Sequence, residues 1–209
     1  MSMNKVIHCA VRRDLDRFRR ALGDYVDGDR ARAEALHRAW ANFDAQLTEH
    51  HEGEHEIAWP ALKAIGVAEP TIDAFDAEHE TMAADLAATR EAMSTLRRTA
   101  TRGDADVAAA AMEQLRTTAV THLDHEEQVT EPAFAQHEDD PALKEMGKKF
   151  SRRSGPPTAG IFFAWVEDGA TPEEKAALRA SVPGPVLAII GGVFGRRYRK
   201  EIAPVWAGR

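Results

Sequence analysis

Cysteine is almost absent: Cys9 is the single one among 209 residues. A disulfide framework within the chain and a thiolate metal cluster are both excluded. An excess of positive charge is also missing, because the formal net charge is −7, so no broad basic surface invites a nucleic-acid partner. Long apolar runs are missing too. The longest near the C-terminus, Val186–Phe194, is about half of what a membrane-spanning helix needs. The opening MSMNKVIHCAVRRDLDRF carries early charges and no extended apolar stretch, so no secretory signal is read there. The expectation from these absences is a cytoplasmic protein without a transmembrane segment.

What the chain does have is histidine beside carboxylates. His50, His51, His55, His122 and His125 are packed among Glu54, Glu56, Glu126 and Glu127. Apolar residues recur at helical spacing around them. Val11, Leu15, Phe18 and Leu22 form one stripe within residues 4–26, and three residues back from its start lies His8. A second helix is expected from about Asp29 to Trp59, ending before Pro60. Its stripe reads Leu36, Trp40, Phe43, Leu47, His50, Glu54, Ile57. Two polar residues thus stand where apolar ones are demanded, and a buried carboxylate without a partner costs several kcal/mol. A third helix opens at Thr71 with Ile72, Phe75, His79, Met82 and Leu86, continuing towards Met93 and Leu96. A fourth, from about Asp104 to Gln136, carries Leu115, His122, Glu126 and Val129 inward, with Pro132 expected to kink or end it early.

The halves repeat. His50-x-x-x-Glu54 with Pro60 and His122-x-x-x-Glu126 with Pro132 are offset by 72 residues, and His8 and His79 by 71. Two helical hairpins with one internal geometry predict an all-α four-helix bundle over residues 1–145. Residues four apart on a helix project together, so each His-x-x-x-Glu offers a nitrogen and an oxygen side by side. His8, His50, Glu54, His79, His122 and Glu126 are therefore the expected metal ligands. Imidazole with carboxylate suits iron or manganese better than calcium or magnesium, and zinc accepts the same donors. The case for iron rests on a paired site bridged by carboxylates inside a bundle. His51, His55 and His125 fall off the main stripes; His51 and His125 are read as orienting groups or proton relays, and Glu56 and Glu127 as solvated helix charges.

On these residues the chain resembles the hemerythrin-like, or HHE cation-binding, family over about residues 5–137. The match is closest to the H-HxxxE-H-HxxxE type of bacterial hemerythrin-like proteins and of a eukaryotic iron-sensing domain. The resemblance implies an up-down-up-down bundle with two iron ions, cycling between ferrous and ferric, bridged by an oxo or hydroxo group and both glutamates. Oxygen-carrying hemerythrins have a His-x-x-x-His pair on the third helix; here Phe75 and Ala83 flank His79 at those positions. Reversible oxygen carriage is accordingly not the expectation. Handling of peroxide, O2, nitric oxide or iron is, as a peroxide-decomposing or peroxide-reducing enzyme or as a non-catalytic iron or oxygen sensor.

Residues 146–209 are expected to form a helical extension packed on the bundle, covering one end or side or building a homodimer contact. Lys144–Ser154, followed by Gly155-Pro156-Pro157, reads as a linker or a sharp bend. Thr171-Pro172-Glu173-Glu174 is a capping box opening a short helix, and Val186–Trp206 reads as a further helix. Its Arg196, Arg197, Arg199 and Lys200 offer a membrane surface or an acidic partner as another role.

Overall fold

The structure is a computed structural model describing residues 1–207. Four long helical segments form the bundle. Helix α1 (Met3–Gly23) starts on Ser2, whose hydroxyl accepts the Lys5 backbone N–H. Helix α2 (Arg30–Gly53) starts on Asp29, which accepts from the Arg32 N–H. A wide π turn (Glu54–Ala58) follows, then α3 (Trp59–Ala64). Helix α4 (Glu69–Thr99) and helix α5 (Arg102–Gln136) complete the bundle, with Thr101 accepting the Asp104 N–H at the start of α5. Each segment packs on the next in sequence and α5 closes back on α1. His8 lies early in α1, His50 late in α2, His79 early in α4 and His122 late in α5. All four histidines therefore reach one end of an up-down-up-down bundle.

The apolar stripes form its core. Leu15, Phe18, Leu36, Phe43, Leu47, Met82, Met93, Leu96, Met112 and Leu115 are all fully buried. The α4–α5 turn places Ala100 in the left-handed region (φ 58°), an uncommon conformation for a residue with a Cβ. Its carbonyl accepts hydrogen bonds from the Gly28 N–H at 2.8 Å and the Tyr25 hydroxyl at 3.2 Å, tying both hairpin turns together.

Pro60, expected to stop a helix, does not, and Pro132, expected to kink or end its helix early, does not end it. At Pro60 the Trp59 N–H bonds to the Glu54 carbonyl, one residue further back than in an α-helix. The wider turn gives the proline ring room, and the chain continues to Ala64 instead of ending at Trp59. Helix α5 runs past Pro132 to Gln136, its last turn held by Phe134 packing on a small cluster of Trp59, Leu62, Ile72 and Phe75.

Two further expectations are corrected in the C-terminal part. Lys144–Ser154 is not a linker: helix α6 (Pro141–Arg153) occupies nearly all of it, capped by Asp140 and opened by Pro141. Val186–Trp206 is not one helix. After α7 (Pro156–Glu167) and α8 (Pro172–Ser181), the chain forms α9 (Gly184–Val186), a π segment (Leu187–Phe194), α10 (Arg196–Glu201) and α11 (Ala203–Trp206). The reciprocal Thr171/Glu174 capping box is present as expected. Gly195 lies at one break and Pro204 just beyond the next, interrupting what periodicity alone would join.

The extension shares the bundle's core. Trp165, Tyr198 and Val205 are buried in the same cluster as Phe18 and Trp40. Trp206 packs edge-on against Phe18 with ring centroids 5.0 Å apart. A buried carboxylate pins the contact. Asp14, 1% exposed, accepts the Trp165 indole N–H at 2.8 Å and guanidinium N–H groups of Arg13 and Arg17 at 3.0 Å. Arg17 also reaches Asp168, which accepts the Tyr198 hydroxyl at 2.9 Å. Removing Asp14 leaves the Trp165 indole donor unpaired and takes the buried carboxylate from two partly buried cations, of which Arg17 keeps Asp168 and Arg13 the Trp165 carbonyl. Asp14→Ala should therefore cost about 3 kcal/mol of stability in urea denaturation, while the neighbouring surface change Asp16→Ala should cost under about 0.5 kcal/mol.

Candidate metal centre

Two groups of side chains converge at the histidine end of the bundle. One comprises His8, His50, Glu54 and Glu126, the other His51, Glu54, His79 and His122, and within each the potential ligand atoms lie within 4.8 Å of one another. All six residues expected from sequence are brought together, and Glu54 belongs to both groups. His8 Nε2 is 3.1 Å from His50 Nε2, and His79 Nε2 is 3.0 Å from His122 Nε2. Glu54 places one oxygen 3.1 Å from His50 Nε2 and the other 3.5 Å from His79 Nε2. Glu126 Oε2 lies 3.2 Å from His8 Nε2 and 3.6 Å from His122 Nε2.

His51, off the main stripe of α2, has its Nε2 sealed from solvent with no hydrogen-bond partner and lies in the second group. Its ring stacks on His79 at 4.1 Å, while His50 meets His8 edge-on at 5.1 Å. Consecutive helical residues are turned by about 100°, so on the inner face of α2 one imidazole meets α1 and the next meets α4. A single-stripe reading keeps only one of them. The His-His pair itself was the available signal.

The tautomers follow from the outer partners. His8 Nδ1 is 3.0 Å from Glu127 Oε1, and His122 Nδ1 is 2.7 Å from Glu78 Oε2. Carboxylates only accept, so each Nδ1 donates, and a neutral ring then turns an Nε2 lone pair inward. Glu127 is thus not a solvated charge: it also receives Arg12 at 2.6 Å and Lys5 at 3.2 Å. Glu78 carries no signal of this role in the sequence, because a Glu preceding His79 on a helix looks like any surface acid. It holds His125 as well, at 2.8 Å. Asn4 Nδ2 donates to Glu126 Oε1 at 2.8 Å. Trp59 stacks on His79 at 5.7 Å, and its N–H is held by Asp76 at 2.8 Å.

These groups fit a cation and little else. Both oxygens of Glu54, Glu126 Oε2 and His51 Nε2 are buried without hydrogen-bond partners. Polar atoms in that state are rare because each costs its full desolvation. Burial, then the neighbouring Glu126, pushes the Glu54 carboxyl well above the usual carboxylate range. Burial and the neighbouring imidazoles hold His50 and His51 well below the usual histidine range, and His79 down to about 4. Burial opposes ionisation of Glu126 and Glu127, but His8 and, for Glu127, Arg12 keep both ionised, at about 2.

A model of the hemerythrin HHE cation-binding domain matches residues 5–134, well over half of the chain. The chain belongs to that family. No curated protein and no solved structure matches it significantly. In this hemerythrin-like chain the matched residues span every side chain of the two converging groups. No single helix among the described residues is long and apolar enough to cross a membrane.

Two predictions follow from the site's electrostatics and support. Chelator-stripped protein should lose stability as the pH falls from about 7 to 5. His50, His51, His79 and His122 all titrate below the ordinary 6.5 in the fold, so the unfolded chain gains protons there that the folded chain does not. Glu54 and His8, both raised, work in the opposite direction but are outnumbered. Calorimetry across that range should show a falling midpoint. Separately, Glu78→Gln should weaken metal retention by about 10–100-fold in chelator competition by loosening His122, with the helical spectrum unchanged.

Proposed function

We propose that this protein holds two iron ions between His8, His50, His51, Glu54, His79, His122 and Glu126, and uses them in redox chemistry on a small ligand: peroxide, O2 or nitric oxide. The observation that carries the reading is Glu54, whose two unpartnered oxygens face imidazoles of different groups, as a carboxylate shared between two cations would. Five imidazoles with two carboxylates favour a transition metal over calcium or magnesium. Iron supplies one-electron exchange and an open position for a small ligand.

The chain's own residues then have separate tasks. Glu127 and Glu78 aim His8 and His122 by accepting their Nδ1 protons. Asn4 holds one oxygen of Glu126 and leaves the other directed between His8 and His122. Phe75 and Trp59 wall the site beside His79 and His122, excluding bulk water. His125, with a side chain 39% exposed, connects through Glu78 to His122. That chain offers a proton a route between solvent and His122 Nδ1. In this reading residues 1–145 supply the metal-binding bundle and residues 146–209 a helical brace, although α6 runs across that division.

A second reading, a non-catalytic iron or oxygen sensor, has its own observation. Helix α6 sits directly on the π turn that carries Glu54. A Cβ added at Gly53 would come within 2.8 Å of the Phe150 ring, and Arg153 pairs with Glu49, Glu52 and Glu56 around the same turn. Metal occupancy at Glu54 would be felt by α6.

Metal analysis and optical spectra before and after peroxide test the proposal. Iron-loaded protein should carry about two irons per chain and change its spectrum with peroxide. Glu54→Ala should lose the paired site, and His51→Ala should retain about one iron. Two tightly held irons in Glu54→Ala would overturn the ligand assignment. Peroxide or O2 turnover supports catalysis; no turnover together with a large iron-dependent rise in melting temperature supports sensing.

A further inference from the structure

The extension presents an apolar, positively flanked face that neither the bundle nor the metal centre uses. The π segment Leu187–Phe194 packs on α7 through very close backbone contact: a Cβ at Gly160 would fall 2.3 Å from Phe194 Cβ and 2.7 Å from the Ile190 carbonyl. Other side chains of the segment, and part of the Phe194 ring, remain bare. Ile189 is 63% exposed, Val193 54%, Phe194 39% and Val186 37%. These account for half of the exposed large hydrophobic residues of the described chain, and they fall within nine consecutive positions.

Several backbone groups at the two ends of this segment are accounted for. Pro183 and Pro185, at its start, carry no N–H to leave unsatisfied. At its far end the Arg199 guanidinium donates to the carbonyls of Gly191 and Gly192 at 2.9 and 2.7 Å. Satisfied backbone groups are what an apolar medium requires and water does not. Immediately beyond lie Arg196, Arg197 and Lys200, all exposed, lining one open concavity with Arg199. Arg197 is partly engaged by Glu201 at 3.2 Å. The segment meets α8 at 106°, so the two together do not make a straight span.

We propose that this face docks on an anionic lipid surface, with Val186, Ile189, Val193 and Phe194 entering the headgroup–acyl boundary and Arg196, Arg197 and Lys200 meeting the lipid phosphates. Charge complementarity selects this occupant. A two-fold contact with a second copy through the same face would bring the cationic clusters towards each other, at an electrostatic cost. A lipid surface of negative charge removes that cost and takes up the apolar side chains as well. The rest of the chain, acidic in net charge, is repelled by such a surface, which leaves this patch as the oriented point of attachment. The proposal is independent of the metal assignment.

The test is co-sedimentation of the full-length, metal-loaded protein with vesicles of phosphatidylcholine alone and of equimolar phosphatidylcholine and phosphatidylglycerol. Binding to the anionic vesicles only, weakened at high salt, is the expected result. Arg196→Glu with Lys200→Glu should reduce the partition coefficient by at least tenfold, given roughly fivefold for each cation removed. Ile189→Ser with Val193→Ser, both at exposed positions where folding is not at stake, should reduce it at low and high salt alike. Absence of binding to either vesicle overturns the proposal. So does a wild-type dimer in light scattering that the Ile189/Val193 variant converts to monomer, since that assigns the face to a second copy.

Discussion

A carboxylate buried at 2% exposure with neither oxygen hydrogen-bonded is the constraint around which this bundle is built. Glu54 sits where the apolar stripe of α2 should continue, and no donor of the protein is aimed at it. Uncompensated, such a group costs several kcal/mol or stays protonated. The surrounding imidazoles do not solve the problem, because burial holds most of them neutral. A cation solves it for the carboxylates and imidazoles together. The π turn at Glu54 belongs to the same arrangement, since it lets the helix carry Glu54 inward and still pass through Pro60.

The supporting charges are arranged outward from that centre. Glu127 and Glu78 face the outer nitrogens of His8 and His122, and they in turn are held by Lys5 and Arg12 or shared with His125. The inner nitrogens of His8 and His122 are therefore directed by carboxylates nearer the surface. The extension adds a second, unrelated anchor. Asp14 is as deeply buried as Glu54 but fully partnered, by Arg13, Arg17 and the Trp165 indole. One buried acid calls for an ion; the other has its partners within the chain.

Much of this was legible from residue order. Periodicity located the four bundle helices, and the repeat of His-x-x-x-Glu at an offset of 72 residues selected Glu54 and Glu126 as partners across the bundle. Spacing along one stripe determines which residues share a helix face, because a helix has a fixed pitch. The capping box at Thr171 was legible for the same reason: it is local chemistry over four residues.

Tertiary structure decided the rest. Whether His51 faces inward depends on α2 having two neighbours, α1 and α4, so that consecutive residues both find a partner. Whether Pro60 and Pro132 end their helices depends on the π turn and on Phe134 packing beyond the break. Whether Glu127 is solvated depends on where His8 and Arg12 lie, more than a hundred residues earlier in the chain. A sequence by itself determines a side chain's chemistry and its phase on its own helix. Its partner across the bundle is a property of how the helices meet, and here that meeting joins six predicted residues and His51 into two converging groups that share Glu54.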